Sequence, residues 1–194
     1  LGQSITGMTV SGKEIYDKKG RVTHQGQPVF ESGVNLNTMY KPFINDPEEF
    51  DSFIKNSTKF YYDALDRKII VETPDGAKVK TLFSIESGFF KTEVIDPLSN
   101  TKVSYTDSKK RVLEVIEDPY NNNIGTKYFY DKMSQLVKVQ DHNHNETKIN
   151  YDSLGRRISI DNPDSGILLY KYDDAGNLIS KRDPNLVEKG QSIK

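Results

Sequence analysis

The sequence predicts an all-β fold of tandem antiparallel hairpins. Three observations predict it: a Tyr-Asp dipeptide recurring near a 21-residue spacing, turn residues at fixed offsets behind each Asp, and alternating branched side chains after each turn. Tyr16-Asp17, Tyr62-Asp63, Tyr130-Asp131, Tyr151-Asp152 and Tyr172-Asp173 open the pattern, and Tyr105-Thr106-Asp107 is a variant with one residue inserted. Successive tyrosines lie 46, 43, 25, 21 and 21 residues apart. The two wide spacings are near twice the unit, so each holds a degenerate repeat or an insertion.

The turns come first. The third residue after each Asp is Gly20, Asp66, Lys110, Ser134, Gly155 or Gly176, and the fourth is Arg21, Arg67, Arg111, Gln135, Arg156 or Asn177. Asp at the first position and Gly at the fourth suit a type I turn, whose Asp accepts from backbone N–H groups ahead while Gly takes positive φ. Followed by a left-handed residue, such a turn makes a three-residue hairpin loop with a bulge. Lys110 and Ser134 depart most from that preference. In this loop Asp17 faces Arg21, Asp63 faces Arg67, Asp107 faces Arg111 and Asp152 faces Arg156, as structural ion pairs.

The strands follow. Ile69 and Val71, Leu113 and Val115, Val137 and Val139, and Ile158 and Ile160 stand two apart on one face. The simplest loop register puts the repeat tyrosines on the other face, beside Phe60, Tyr128, Ile149 and Tyr170, so that both faces carry apolar surface. Isolated hairpins are marginal in water, so the units are expected to pair edge to edge into a curved, spiralling sheet with both end strands unpaired.

Three segments depart from the pattern. Asn45-Asp46-Pro47-Glu48-Glu49 supplies an N-cap, a first-turn proline and a capping-box glutamate, predicting one short helix near 46–55 whose Phe50, Phe53 and Ile54 plug onto the sheet. Thr73-Pro74-Asp75-Gly76 and Ile95-Asp96-Pro97-Leu98-Ser99-Asn100 read as hairpin loops. Gly190 to Lys194 read as the start of a further extended segment, so natural termini are not expected. The chain 1–194 is taken as one fragment of a larger array, with 29–58 as an insertion and 101–194 as the most regular repeats.

Composition restricts the function. Twenty-seven basic and twenty-eight acidic side chains leave a formal charge of -1, so no global field draws nucleic acid or an anionic membrane, and direct membrane contact is not expected. The absence of cysteine removes disulfides, thiolate nucleophiles and cysteine-based zinc sites. Asp141-His142-Asn143-His144-Asn145-Glu146 is the cluster closest to a metal or nuclease site, because two histidines two apart in a strand would share a face. A polar turn explains it without chemistry. Asp161-Asn162-Pro163-Asp164 and Asp173-Asp174 likewise read as turns rather than as acid-base pairs. No catalytic, cofactor-binding or metal-binding residue is assigned.

Tyr151-Asp152-Ser153-Leu154-Gly155-Arg156 and Tyr172-Asp173-Asp174-Ala175-Gly176-Asn177-Leu178 resemble the RHS/YD-repeat family. Together with Val10 to Asp17, Thr73 to Gly76, Asp96-Pro97-Leu98 and Asp161 to Gly166, they look like the B component of bacterial insecticidal toxin complexes. The resemblance implies a secreted or cell-surface β-shell that encloses a toxic C-terminal polypeptide and releases it through a channel subunit contacted by the full-length protein. This stretch would be wall, packed against further repeats of its own or a partner chain and without catalysis. The self-cleavage site and β-propeller of such complexes are not visible in these residues. Two rivals stand beside this reading: a carbohydrate-binding module of a surface protein, with tyrosine rings as the sugar platform, and a metal-dependent enzyme using His142, His144 and Glu146.

Overall fold

The computed structural model describes residues 7–32 and 47–189. They form sixteen strands and two short helices, with every observed strand pairing antiparallel. The expected caps Asn45 and Asp46 and the segment 190–194 lie outside the described residues. The chain divides into two compact units, Leu1–Leu82 with Val94–Asn100, and Phe83–Glu93 with Thr101–Lys194.

The first unit runs β1 (Gly7–Val10), β2 (Glu14–Tyr16), β3 (Val22–Gly26), β4 (Val29–Ser32), α1 (Pro47–Lys55), β5 (Ser57–Tyr62), β6 (Lys68–Glu72) and the start of β7 (Lys78–Glu86). β1 pairs with β4, and the rest form a sheet in the order β2-β3-β5-β6-β7. Because β3 pairs directly with β5, the first wide spacing is an insertion, carrying β4 and α1, rather than a degenerate repeat. Pro47 begins α1, where its missing N–H is no loss. Phe53 packs against β3, so close that a Cβ on Gly26 would come within 2.3 Å of its ring. Glycine is required there by space. Ser57 Oγ donates to Ile54 O at 3.0 Å and ties the helix end to β5. Phe50 stays 39% exposed.

The second wide spacing holds more hairpin. β6 turns into β7 at Thr73–Ala77, β8 (Phe89–Ile95) follows, and Asp96–Asn100 leads to β9 (Thr101–Thr106).

The second unit continues with β10 (Val112–Glu117), β11 (Ile124–Tyr130), β12 (Leu136–Gln140), β13 (Glu146–Tyr151), β14 (Arg157–Asn162), β15 (Gly166–Tyr172) and β16 (Leu178–Arg182), each paired with the strand before it. A one-turn helix, α2 (Pro184–Glu188), follows, with Asp183 Oδ1 accepting from Leu186 N at 2.8 Å as its cap. Among the described residues β2 pairs only with β3, and β16 only with β15.

The register corrects the expected faces. Phe60 pairs with Val71, Tyr128 with Val139 and Ile149 with Ile160, and directly opposed residues share a face. The tyrosines Tyr62, Tyr130 and Tyr151 therefore stand with the branched residues, not opposite them. The physical reason is the bulge: one extra residue enters beside the tyrosine in each hairpin, shifting the ladder by one and exchanging the faces. Tyr105 departs from this arrangement. It pairs with Glu114, while Thr106 takes the place that tyrosine holds elsewhere.

In the second unit one face thus carries Tyr128, Tyr130, Val139, Ile149, Tyr151, Ile160, Tyr170 and Tyr172, and the other is rich in charge. Polar-face ion pairs join Glu114 to Lys127 at 3.8 Å and Glu146 to Lys138 at 2.8 Å. That second face is not purely polar: Tyr105 and Val103 oppose Glu114 and Ile116, Phe129 opposes Lys138, and Ile167 and Leu169 oppose Asp161 and Ser159, so both faces carry apolar surface, as expected. Ile149 on the aromatic face is 7% exposed and Val103 on the opposite face 2%, and among the described residues of this unit no second layer lies over the aromatic face.

Candidate functional site

Four turns share one construction at Asp17, Asp63, Asp107 and Asp152. At Asp152, the Asp N–H donates to Arg156 O at 2.9 Å and the Gly155 N–H donates to Asp152 O at 3.0 Å. Oδ1 accepts from the N–H groups of Leu154 and Arg156 at 3.0 and 2.8 Å, and Oδ2 accepts from Arg156 Nε at 2.6 Å. One carboxylate thereby holds the reversal and its own arginine. The backbone N–H of the fourth residue, with its guanidinium, holds the carboxyls of Asp17, Asp63, Asp107 and Asp152 below the usual carboxylate range against an opposing effect of burial.

At Asp131 and Asp173 the fourth residue is an amide. Gln135 N and Asn177 N still donate to the carboxylate, at 2.8 and 2.7 Å, and Asn177 Nδ2 takes the arginine's role at 2.9 Å. The left-handed position holds Gly20, Gly155 and Gly176, but also Asp66, Lys110 and Ser134, at φ values from 62° to 65° for these three.

Two features tie one hairpin to the next, and neither was read from the sequence. The hydroxyls of Tyr62, Tyr130, Tyr151 and Tyr172 donate to the carbonyls of Val22, Val112, Leu136 and Arg157, at 2.8, 2.9, 3.0 and 2.9 Å. Each acceptor lies five residues after the Asp of the preceding Tyr-Asp turn. The arginines of three preceding turns also stack on the next tyrosine: Arg21 over Tyr62, Arg111 over Tyr130 and Arg156 over Tyr172, at 4.7, 4.9 and 5.0 Å from the ring centroid. The fixed offsets carried this signal, but the strand pairing needed to read it was not available. Tyr16 instead donates to Glu14 Oε2 at 2.5 Å and is 56% exposed.

The opposite ends of the strands turn differently. Asp96 and Asp141 close loops of the same backbone class, with Ser99 at φ 69° and His144 at φ 66°, and the amides of Asn100 and Asn145 replace arginine at 2.7 and 2.8 Å. Those side-chain amides lead in lowering both carboxyls. His142 and His144 are therefore turn residues, not a strand pair, and among the described residues no group of three His, Asp or Glu is placed to hold a metal. Asn162 Oδ1 accepts from Asp164 N and Ser165 N at 2.9 and 3.1 Å, so the carboxylate candidates there lie in an Asx turn. Among the described residues no helix is long and apolar enough to cross a membrane.

Residues 151–186, which contain two of these turns and their tyrosine tie, match the family model described as RHS Repeat. The chain's fold is similar to three solved structures. The crystal structure of TcdB2-TccC3-TEV superposes with a TM-score of 0.66 and 22% identity, over 90% of this chain and 9% of that one. TcdB2-TccC3-Cdc42 gives 0.64 and 19%, over 89% and 9%. TcdB2-TccC3 without the hypervariable C-terminal region gives 0.63 and 20%, over 90% and 9%. The chain thus spans about a tenth of the length of these structures. No curated protein matches it.

Proposed function

We propose that this chain is a wall segment of an RHS shell in a bacterial toxin complex, enclosing a toxic polypeptide and performing no catalysis itself. The observation that carries the reading is the sheet of the second unit: an aromatic and branched face that no second layer covers among the described residues of this unit, backed by a face where charged side chains alternate with apolar ones. Such a face suits a polypeptide held without its native fold, whose exposed side chains find apolar surface but no specific pocket. The Tyr-Asp residues are structural in this reading: the turns set the hairpins, and the tyrosine ties hold each hairpin to its neighbour. Likeness to TcdB2-TccC3 structures supports the toxin-complex setting, with action outside the producing cell, further repeats alongside, and a channel subunit reached through the rest of the protein.

The carbohydrate reading is weakened because four repeat tyrosines spend their hydroxyls on backbone carbonyls. A photo-crosslinker placed at Ile158, on the aromatic face, is expected to trap a permanently unfolded reporter polypeptide added to the chain. The same group at Lys148, on the charged face, is expected to leave it free. Equal trapping from both positions, or saturable binding of a glycan panel, would overturn the proposal.

A further inference from the structure

The departures from glycine at the left-handed turn position are not scattered. Asp66 accepts an ion pair from Arg21 of the preceding Tyr-Asp turn, and a second at 3.1 Å from Lys19. Ser134 Oγ accepts from Arg111 Nη1 of the turn before it at 3.2 Å. Gly155 follows the one preceding turn that carries glutamine, and a Cβ there would lie 2.8 Å from Gln135 Nε2. Gly176 follows Arg156, whose Nη1 reaches past it to Asp173 O at 2.9 Å, and the space beside Gly176 is open. Lys110 follows the β7–β8 hairpin rather than a Tyr-Asp turn and has no such predecessor.

We infer that the fourth residue of each Tyr-Asp turn and the left-handed residue of the next form a matched pair that determines which hairpin can sit beside which. An arginine leaves room for an acceptor side chain at the neighbouring left-handed position, and the new bond offsets the strain of positive φ. A glutamine lies against the neighbouring position, its Nε2 2.8 Å from where a Cβ would stand, and has to swing aside for any residue larger than glycine. The array is thereby ordered by side-chain pairing as well as by chain connectivity, because a hairpin moved one place along would meet the wrong partner.

Two measurements on the full chain test this by equilibrium unfolding. Gly155→Ser and Gly176→Ser impose the same backbone strain, but the first displaces the Gln135 amide whereas the second sets an acceptor within reach of Arg156. The Gly155 variant is expected to lower the folding constant about threefold more than the Gly176 variant, and adding Gln135→Ala is expected to narrow the difference. Ser134→Gly relieves strain but loses the Arg111 contact, so it is expected to leave the folding constant nearly unchanged alone and raise it about fivefold in an Arg111→Gln background. Equal costs at the two glycines, or the same effect of Ser134→Gly in both backgrounds, would overturn the pairing. If Gly155→Ser does not fold, the Ser134 cycle decides it.

Discussion

Removing one hydroxyl tests whether the tyrosine ties hold the repeats together. Tyr130→Phe keeps the ring beneath Arg111, 4.9 Å from the guanidinium, and deletes the bond from the hydroxyl to Val112 O, which is 2.9 Å long. Burial raises the Tyr130 pKa, so the hydroxyl is partly withdrawn from water and its loss is poorly replaced by solvent. A hydrogen bond of this kind contributes about 1 kcal/mol, about a fivefold change in the unfolding constant. With a urea slope of roughly 2 kcal/mol/M, the midpoint should fall by about 0.5 M. Tyr130→Leu also forfeits the ring contact with Arg111, a further contribution of about 0.5–1 kcal/mol. Urea titration of the full chain and both variants reads these shifts directly. Tyr170, two residues before Tyr172, lacks the carbonyl contact, so Tyr170→Phe should unfold at the wild-type midpoint. A Tyr130→Phe midpoint equal to wild type, or a Tyr170→Phe shift as large, would refute the reasoning.

Acid should loosen the array. The turn carboxyls titrate lower in the folded chain than in the unfolded one, so their stabilisation is complete above the unfolded value of about 3.9 and is lost as pH falls through the lowered folded values. Urea midpoints should stay level from about pH 7 to pH 5 and fall below about pH 4, with a shallower acid limb in Asp107→Asn and Asp152→Asn. His144 holds φ 66° without glycine's freedom, so His144→Gly is expected to stabilise the chain by about 0.5–1 kcal/mol, measured by the same titration. Gly26→Ala drives a methyl into the Phe53 ring and should cost about 1–3 kcal/mol, seen as faster amide exchange in α1.

Much of the fold was legible because its signals are local. Asp at one end of a turn and Gly three residues on specify the reversal through hydrogen bonds that close within five residues, and these appear at Asp17, Asp152 and Asp173 in the expected places. Pro47 and the Phe50, Phe53 and Ile54 stripe marked α1 for the same reason. α2 escaped notice, since a single turn capped by Asp183 has too few residues for a periodic pattern.

The sequence by itself determined what a short stretch of chain can decide: hairpins, their turn class, and the arginine partners of Asp17, Asp63, Asp107 and Asp152. Only the tertiary structure decided the faces, because a single bulged residue beside each tyrosine moves every later side chain to the other side of the sheet, and no local preference records which side is chosen. The ties from Tyr62 to Val22, across the α1 insertion, and from Tyr130 to Val112 were decided there too. A hydroxyl finds its carbonyl through strands that meet only after folding, so the bond belongs to the pairing and not to the residue.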